Sequence, residues 1–148
     1  MIRNLITEKK FKIVSELLGR EYSIPGKIVT GRQLASKLGF PTVNLNIPDS
    51  LHLPEYGVYL VKDEYDRFGV ANLGVRPTFN FTKHNLEVHY FSPPKIKDKC
   101  LNIRLLEFIR PEKKFANLIE LSQRIRKDIE TAKELLKNHL QKNSNMLK

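Results

Sequence analysis

The spacing of apolar positions changes twice along the chain. Between Leu5 and Leu18 they fall at Phe11, Val14, Leu17 and Leu18, a helical spacing, and Gly19 ends the pattern as a glycine just past a helix does. From Tyr22 to about Arg110 short β-rich runs alternate with Gly, Pro and Asn breaks, predicting strands over 23–30, 42–47, 58–62, 68–73, 85–91 and 101–109. The polar run Asp63, Glu64, Tyr65, Asp66 reads as a hairpin turn. Several short strands with no helix between them point to an antiparallel sandwich or barrel. From Asn117 onward Leu118, Leu121, Ile125, Ile129, Ala132 and Leu136 form one apolar stripe. Asn117 suits an N-cap, with Glu120 three residues later to reach back to it. Such a helix gains little alone and is expected to lay its stripe on the sheet.

The expected organisation is an N-terminal helix or linker over 1–20, a barrel with its C-terminal helix over 21–140, and a frayed tail over 141–148. A chain of 148 residues, 41% hydrophobic and 28% charged, can bury a core without cross-links. Its single cysteine, Cys100, excludes an internal disulfide and fits a reducing, cytoplasmic setting. No apolar run reaches membrane-spanning length, and the first residues carry no apolar signal core. The net charge of +10 suits phosphate ligands, nucleic acid or anionic surfaces, and equally a lysine-rich solvated surface. The basic residues form no dense tract and nucleic-acid-binding signatures are absent, so no nucleic-acid or membrane partner is expected.

Five stretches carry groups with chemical potential. In Gly39-Phe40-Pro41-Thr42-Val43-Asn44, Thr42 and Asn44 lie two apart on a strand and face one side. A hydroxyl and an amide carbonyl are hard oxygen donors that suit Mg²⁺ completed by phosphates and water, and they equally suit a polar strand face. In Leu86-Glu87-Val88-His89-Tyr90-Phe91, alternation sets Leu86, Val88 and Tyr90 on one face and Glu87 and His89 on the other. A strand carboxylate there can accept the proton of an attacking hydroxyl, or simply face solvent. Around Ser23 to Arg32, glycines and basic residues at a strand end could wrap a phosphate, although the spacing of a Walker A loop is missing. Asn72 to Phe79 and Ile109 to Phe115 are basic loops at strand ends. No His/Cys metal set and no Ser-His-Asp order can be defended.

Taken in order, Gly31-Arg32, Leu38 through Asn44, Leu53 through Tyr59, Gly69 through Phe79, Leu86 through His89 and Ile109 through Phe115 resemble the riboflavin kinase family, over roughly Leu17 to Leu136. The resemblance implies a mainly β fold: a six-stranded antiparallel Greek-key barrel with a C-terminal helix, here preceded by a short N-terminal helix. It implies ATP-dependent phosphorylation of riboflavin at the ribityl 5′-hydroxyl to give FMN and ADP, with Mg²⁺ as cofactor. Thr42 and Asn44 match the metal pair and Glu87 the carboxylate that activates the hydroxyl. Gly26, Lys27, Gly31, Arg32, Ser36, Thr42, Tyr90, Ser92 and Asn102 match the nucleotide side. Arg110, Lys113 and Phe115 match the flavin side.

Two stretches depart from the family pattern. Leu34-Ala35-Ser36 stands where bacterial members carry Leu-Gly-Arg, so the phosphate arginine falls to Arg32 or Lys37. Lys95-Ile96-Lys97-Asp98 stands where they carry an aromatic-Tyr-Gly loop, removing a nucleotide contact. Altered loops of this kind leave a second reading, a flavin- or nucleotide-binding regulatory module without catalysis. Residues 2–22 resemble the segment joining an adenylyltransferase module to the kinase in bifunctional FAD synthetases. The HxGH-type site of that module is absent from the sequence, so an excised or stand-alone kinase is expected, one that does not make FAD.

Overall fold

Leu86, Val88 and Tyr90 point into a closed barrel while Glu87 and His89 point out of it. The computed structural model describes residues 2–20, 22–29, 40–77 and 82–146, without the side chains of 76, 77, 82, 83, 139 and 142–146. The strands are β1 (Ser23–Val29), β2 (Thr42–Asn46), β3 (Gly57–Asp63), β4 (Phe68–Pro77), β5 (Thr82–Tyr90) and β6 (Cys100–Pro111). All pairings are antiparallel, in the closed order β1-β2-β5-β4-β3-β6. Strands β3, β4 and β5 form consecutive hairpins, β2 returns beside β5, and β6 returns beside β3. Both returns are Greek-key crossovers. The six strands lie where the apolar pattern predicts them, with β4 running four residues past the predicted end because its partner β5 starts earlier, at Thr82.

The interior is filled by Ile24, Leu45, Tyr59, Val61, Leu73, Leu86, Val88, Tyr90, Leu101 and Ile103. Helix α3 (Leu118–Met146) covers part of the outer wall, where Val58, Leu60 and Val70 meet Ala132, Ile129 and Leu136 of the expected stripe. Its start is capped as expected: the Asn117 side-chain oxygen accepts from the Glu120 N–H at 2.9 Å. The Glu120 carboxylate reaches back one residue further than a capping box requires, to the Ala116 N–H at 3.1 Å.

The single N-terminal helix expected up to Leu18 is two helices, α1 (Ile2–Thr7) and α2 (Phe11–Leu18). Lys9 adopts φ 62, with Lys9 N–H bonded to the Ile6 carbonyl and Lys10 N–H to the Leu5 carbonyl, a Schellman ending. The left-handed conformation costs a lysine roughly 1–2 kcal/mol. Contacts offset it: Lys9 Nζ lies 3.4 Å from Glu55 and 4.2 Å from the centre of the Phe108 ring. The same ending recurs at Gly19, φ 71, where glycine meets no such cost. Helix α2 docks through Phe11, stacked on Tyr22 at 5.4 Å and edge-on to Tyr59 at 5.9 Å.

Candidate functional site

One row of side chains crosses the outer wall of the barrel in strict register. Val29 faces Asn44, Asn44 faces Glu87, Glu87 faces Asn72, Asn72 faces Val58, and Val58 faces Arg110. Neighbouring strands are about 4.8 Å apart, so Asn44 and Glu87 are immediate neighbours and Arg110 lies about three strand spacings beyond Glu87. The adjacent row pairs Thr42 with His89 and His89 with Val70. The residues expected to hold a metal and the expected base therefore share one patch of sheet.

Burial shapes this patch. Asn44 is 4% exposed and His89 6% exposed. The Thr42 hydroxyl donates to the Phe40 carbonyl at 2.9 Å and lies 3.0 Å from His89 Nδ1. With its only proton committed to Phe40, Thr42 accepts from an Nδ1–H, which fixes the imidazole tautomer and leaves one Oγ1 lone pair. Desolvation pushes the His89 pKa down from 6.5 to about 4, so the ring is neutral near pH 7. Its Nε2 lies 4.0 Å from Glu87 Oε1, an approach between a neutral ring and a carboxylate.

The donor set can be tested against a magnesium ion. Thr42 and Asn44 offer one hydroxyl and one amide oxygen, with the Glu87 carboxylate alongside. Among the described residues no group of three His, Cys, Asp or Glu side chains is arranged to hold a metal. Two neutral oxygens on a rigid strand suit a hard cation that brings its own phosphate and water ligands, as Mg²⁺ does.

On the nucleotide side, Gly26 and Lys27 line a groove of about 390 Å³ with Pro25, Asn46, Asp49 and Cys100. Asn46 faces Lys27 in the groove lining and lies two residues from Asn44 on the same side of β2. Asn102 pairs with Pro25 at the groove wall and contacts Glu64 through its N–H at 3.2 Å and its side-chain amide at 3.4 Å. Ser92 is exposed just beyond β5. Tyr90 is not brought to this face. It is 1% exposed inside the barrel, and its hydroxyl donates to the buried Asp63 carboxylate at 3.0 Å. Strand alternation dictates this, because a residue three along from Glu87 points inward. Gly31, Arg32 and Ser36, with the departure at Ala35, lie outside the described residues.

On the flavin side, Arg110 forms a two-pronged ion pair with Asp128 of α3, Nε to Oδ1 at 2.9 Å and Nη2 to Oδ2 at 2.8 Å. The Arg110 guanidinium stands 5.7 Å from the centre of the Phe115 ring, and Lys113 is exposed between them in sequence. Asp128 was not singled out by sequence reasoning, although a signal exists: it is a carboxylate set among Ile125, Ile129 and Ala132 in the apolar stripe. Sequence alone assigns His89 no role, since its contact with Thr42 depends on a cross-strand register that sequence does not give.

The family profile for flavokinase, described as riboflavin kinase, matches residues 18–136. The chain belongs to the riboflavin kinase family. It is 36% identical over 137 residues to the bifunctional riboflavin kinase/FMN adenylyltransferase of Haemophilus influenzae, covering 89% of this chain and 44% of that protein. Proteins of the same name from Buchnera aphidicola (subsp. Schizaphis graminum) and Escherichia coli K12 are 35% and 33% identical, over 90% of this chain and 45% and 44% of theirs. The chain thus spans less than half the length of these curated relatives. A crystal structure described as a macrolide-efflux protein from Streptococcus pneumoniae superposes with a TM-score of 0.73 at 27% identity, over 89% of this chain and 45% of that one. The segment shared with the riboflavin kinase family includes Thr42, Asn44, Glu87 and Arg110 together.

Proposed function

We propose that this chain transfers the γ-phosphoryl group of ATP to the ribityl 5′-hydroxyl of riboflavin, giving FMN and ADP. The observation that carries the reading is the direct cross-strand pairing of Asn44 with Glu87. It sets a metal-compatible amide beside a carboxylate that can take a proton, on a wall with a groove on one side and a basic, aromatic corner on the other.

In this reading the adenine nucleotide occupies the groove lined by Gly26 and Lys27, with Asn102 and Ser92 at its margin, and the phosphates run past Asn46 toward Thr42 and Asn44. Thr42 Oγ1 and Asn44 Oδ1 would hold Mg²⁺, which when bound would neutralise phosphate charge. The contacts of Thr42 Oγ1 with the Phe40 carbonyl and His89 would leave one of its lone pairs for such an ion. Phosphoryl transfer leaves the protein mainly positioning and electrostatic work. The new bond forms between the 5′-oxygen and the γ-phosphorus as the bond to the β,γ-bridging oxygen breaks and ADP leaves. Glu87, with its side chain 29% exposed, receives the hydroxyl proton. Arg110, Lys113 and Phe115 face the isoalloxazine ring. Tyr90 takes no part, because its hydroxyl is committed to Asp63.

The adenylyltransferase activity in the names of the relatives belongs to those proteins. The present proposal concerns the kinase step and a cytoplasmic setting. Among the described residues no helix is long and apolar enough to cross a membrane, and the thiol of Cys100 is free. The test is chromatographic separation of riboflavin from FMN after incubation with MgATP. FMN formation that requires both nucleotide and divalent cation supports the proposal. Tight flavin binding with no FMN would overturn it in favour of a binding module.

A further inference from the structure

The polar turn between β3 and β4 does more than reverse the chain. The buried carboxylate of Asp63 accepts from Tyr65 N–H at 2.9 Å, Arg67 N–H at 3.0 Å and Arg67 Nε at 2.6 Å. The Tyr90 hydroxyl adds a bond at 3.0 Å from the barrel interior. A buried carboxylate matched on this scale is a rigid base, and the residues around it reach outward to the neighbouring connection. Arg67, whose guanidinium lies 4.8 Å from the centre of the Tyr65 ring, donates from Nη1 to the Lys95 carbonyl at 2.9 Å. The Tyr65 hydroxyl donates to the Asp98 carboxylate. Glu64 accepts from the Asn102 N–H at 3.2 Å and from its side-chain amide at 3.4 Å.

All these outward contacts land on the connection between β5 and β6 or on the start of β6. The connection runs over residues 91–99 without regular structure. Its ends abut the candidate nucleotide site. Before it, Tyr90 N–H donates at 2.8 Å to the carbonyl of Pro41, the neighbour of Thr42. At its close, the Lys99 carbonyl accepts from Ile28 N–H at 2.9 Å, next to Lys27 and Cys100 of the groove. Between these points Ile96 is half-buried against the barrel core, with Lys95 and Lys97 exposed on either side. An irregular segment stays ordered only where contacts offset its conformational entropy, and the turn supplies two of them, at Lys95 and Asp98.

We propose that Tyr65 and Arg67 are positioning residues for the nucleotide, tying the 92–99 segment to the Asp63 turn so that the rim between the Thr42 end and the Gly26–Lys27 groove keeps one shape. They touch no substrate and act through Lys95 and Asp98. That the ligand is a nucleotide rests on the kinase reading above; the tie itself rests on the contacts of the turn.

The test compares the full chain with Tyr65→Phe, Asp98→Ala, Asp98→Asn and Arg67→Lys. The first two delete one bond at exposed side chains. Lysine at 67 keeps a charge beside Asp63 and loses the fork that also reaches Lys95. Affinity for ADP with Mg²⁺ is read by calorimetry and affinity for riboflavin by flavin fluorescence. Mobility of the segment is read by tryptic cleavage after Lys95, Lys97 and Lys99, located by mass spectrometry. Tyr65→Phe, Asp98→Ala and Arg67→Lys should each weaken ADP by about two- to tenfold, the worth of one hydrogen bond, and leave riboflavin unchanged. Cleavage in the segment should quicken in all three, and bound ADP should slow it. Asp98→Asn keeps an acceptor for the Tyr65 hydroxyl and should remain native in every readout. Equal weakening of both ligands, native ADP affinity in Tyr65→Phe and Asp98→Ala, or native cleavage rates would each overturn the assignment. If Arg67→Lys does not fold, the two exposed-site variants carry the same comparison. A native chain that binds ADP and forms no FMN fails the kinase reading alone; FMN formation with native ADP affinity in both exposed-site variants fails this one alone.

Discussion

Replacing Asp128 with alanine isolates the contact that ties the long helix to the flavin side of the wall. The Arg110 and Asp128 side chains are 13% and 4% exposed, and two parallel N–H···O bonds of 2.9 and 2.8 Å join them. Arg124 Nε lies 3.3 Å from the same carboxylate. Burial on this scale means that solvent screens the pair little. Removing the anion leaves the Arg110 guanidinium buried without its counter-charge, a change that costs about 3–5 kcal/mol. A domain of this size has roughly 5–15 kcal/mol in total, so the loss is a large share. With a urea slope of about 2 kcal/mol per molar, the unfolding midpoint should fall by about 2 M. Urea titration followed by circular dichroism measures it. A midpoint shift below about 0.5 M with an unchanged slope would refute the argument that the pair is desolvated. The double variant Arg110→Met, Asp128→Leu separates the two roles of the contact. Apolar replacement of a buried pair is often neutral in stability, so the midpoint should largely recover. Riboflavin affinity should stay low if Arg110 faces the flavin ring.

Glu87→Gln should keep the fold and the affinity for both substrates and lower kcat by about two to four decades, measured as FMN formed per unit time; native-like turnover would remove Glu87 from the proton transfer. Thr42→Val should raise the Mg²⁺ concentration needed for half-maximal rate while leaving flavin binding unchanged, read by metal titration of activity and by flavin fluorescence. For His89 the folded pKa near 4 lies below the unfolded 6.5, so the unfolded chain binds more protons between those values. Stability without divalent cation should therefore be full above pH 6.5 and fall by about 3 kcal/mol as pH drops toward 4. Urea midpoints across pH should show that slope, and His89→Gln should flatten it. Asp63→Asn removes the charge from a carboxylate that accepts from Tyr65 N–H, Arg67 N–H, Arg67 Nε and the Tyr90 hydroxyl. It should destabilise by about 2–4 kcal/mol, and a change within about 0.5 kcal/mol by denaturation would contradict the role assigned to that turn.

The strands were readable because each buries one face, so Leu86, Val88 and Tyr90 announce their alternation in the bare sequence. The helix start at Asn117 was readable because capping chemistry is local. The break at Lys9 was not, since no glycine marks it and the contacts that offset its left-handed backbone come from Glu55 and Phe108, far along the chain. The candidate site divides in the same way. That Thr42 and Asn44 share a side, opposite to Val43, follows from strand geometry alone. That Glu87 stands beside Asn44 needed the β2–β5 register, which sequence patterning leaves open to any even shift. Tyr90 shows the opposite hazard: motif order drew it toward the nucleotide, while alternation on its own strand already turned it inward.

The register of β5 ties chemistry to correct folding. Slipping β5 by one residue against its neighbours would exchange the two faces, burying Glu87 and His89 in the barrel and pushing Leu86 and Val88 into water. Such a mispaired barrel would hold a naked carboxylate among leucines, and it would disperse the row that lines up Asn44, Glu87 and Asn72. Catalytic competence and a dry interior are thereby two readouts of one alignment, so a barrel that closes in the wrong frame is both inert and unstable, and proofreads itself.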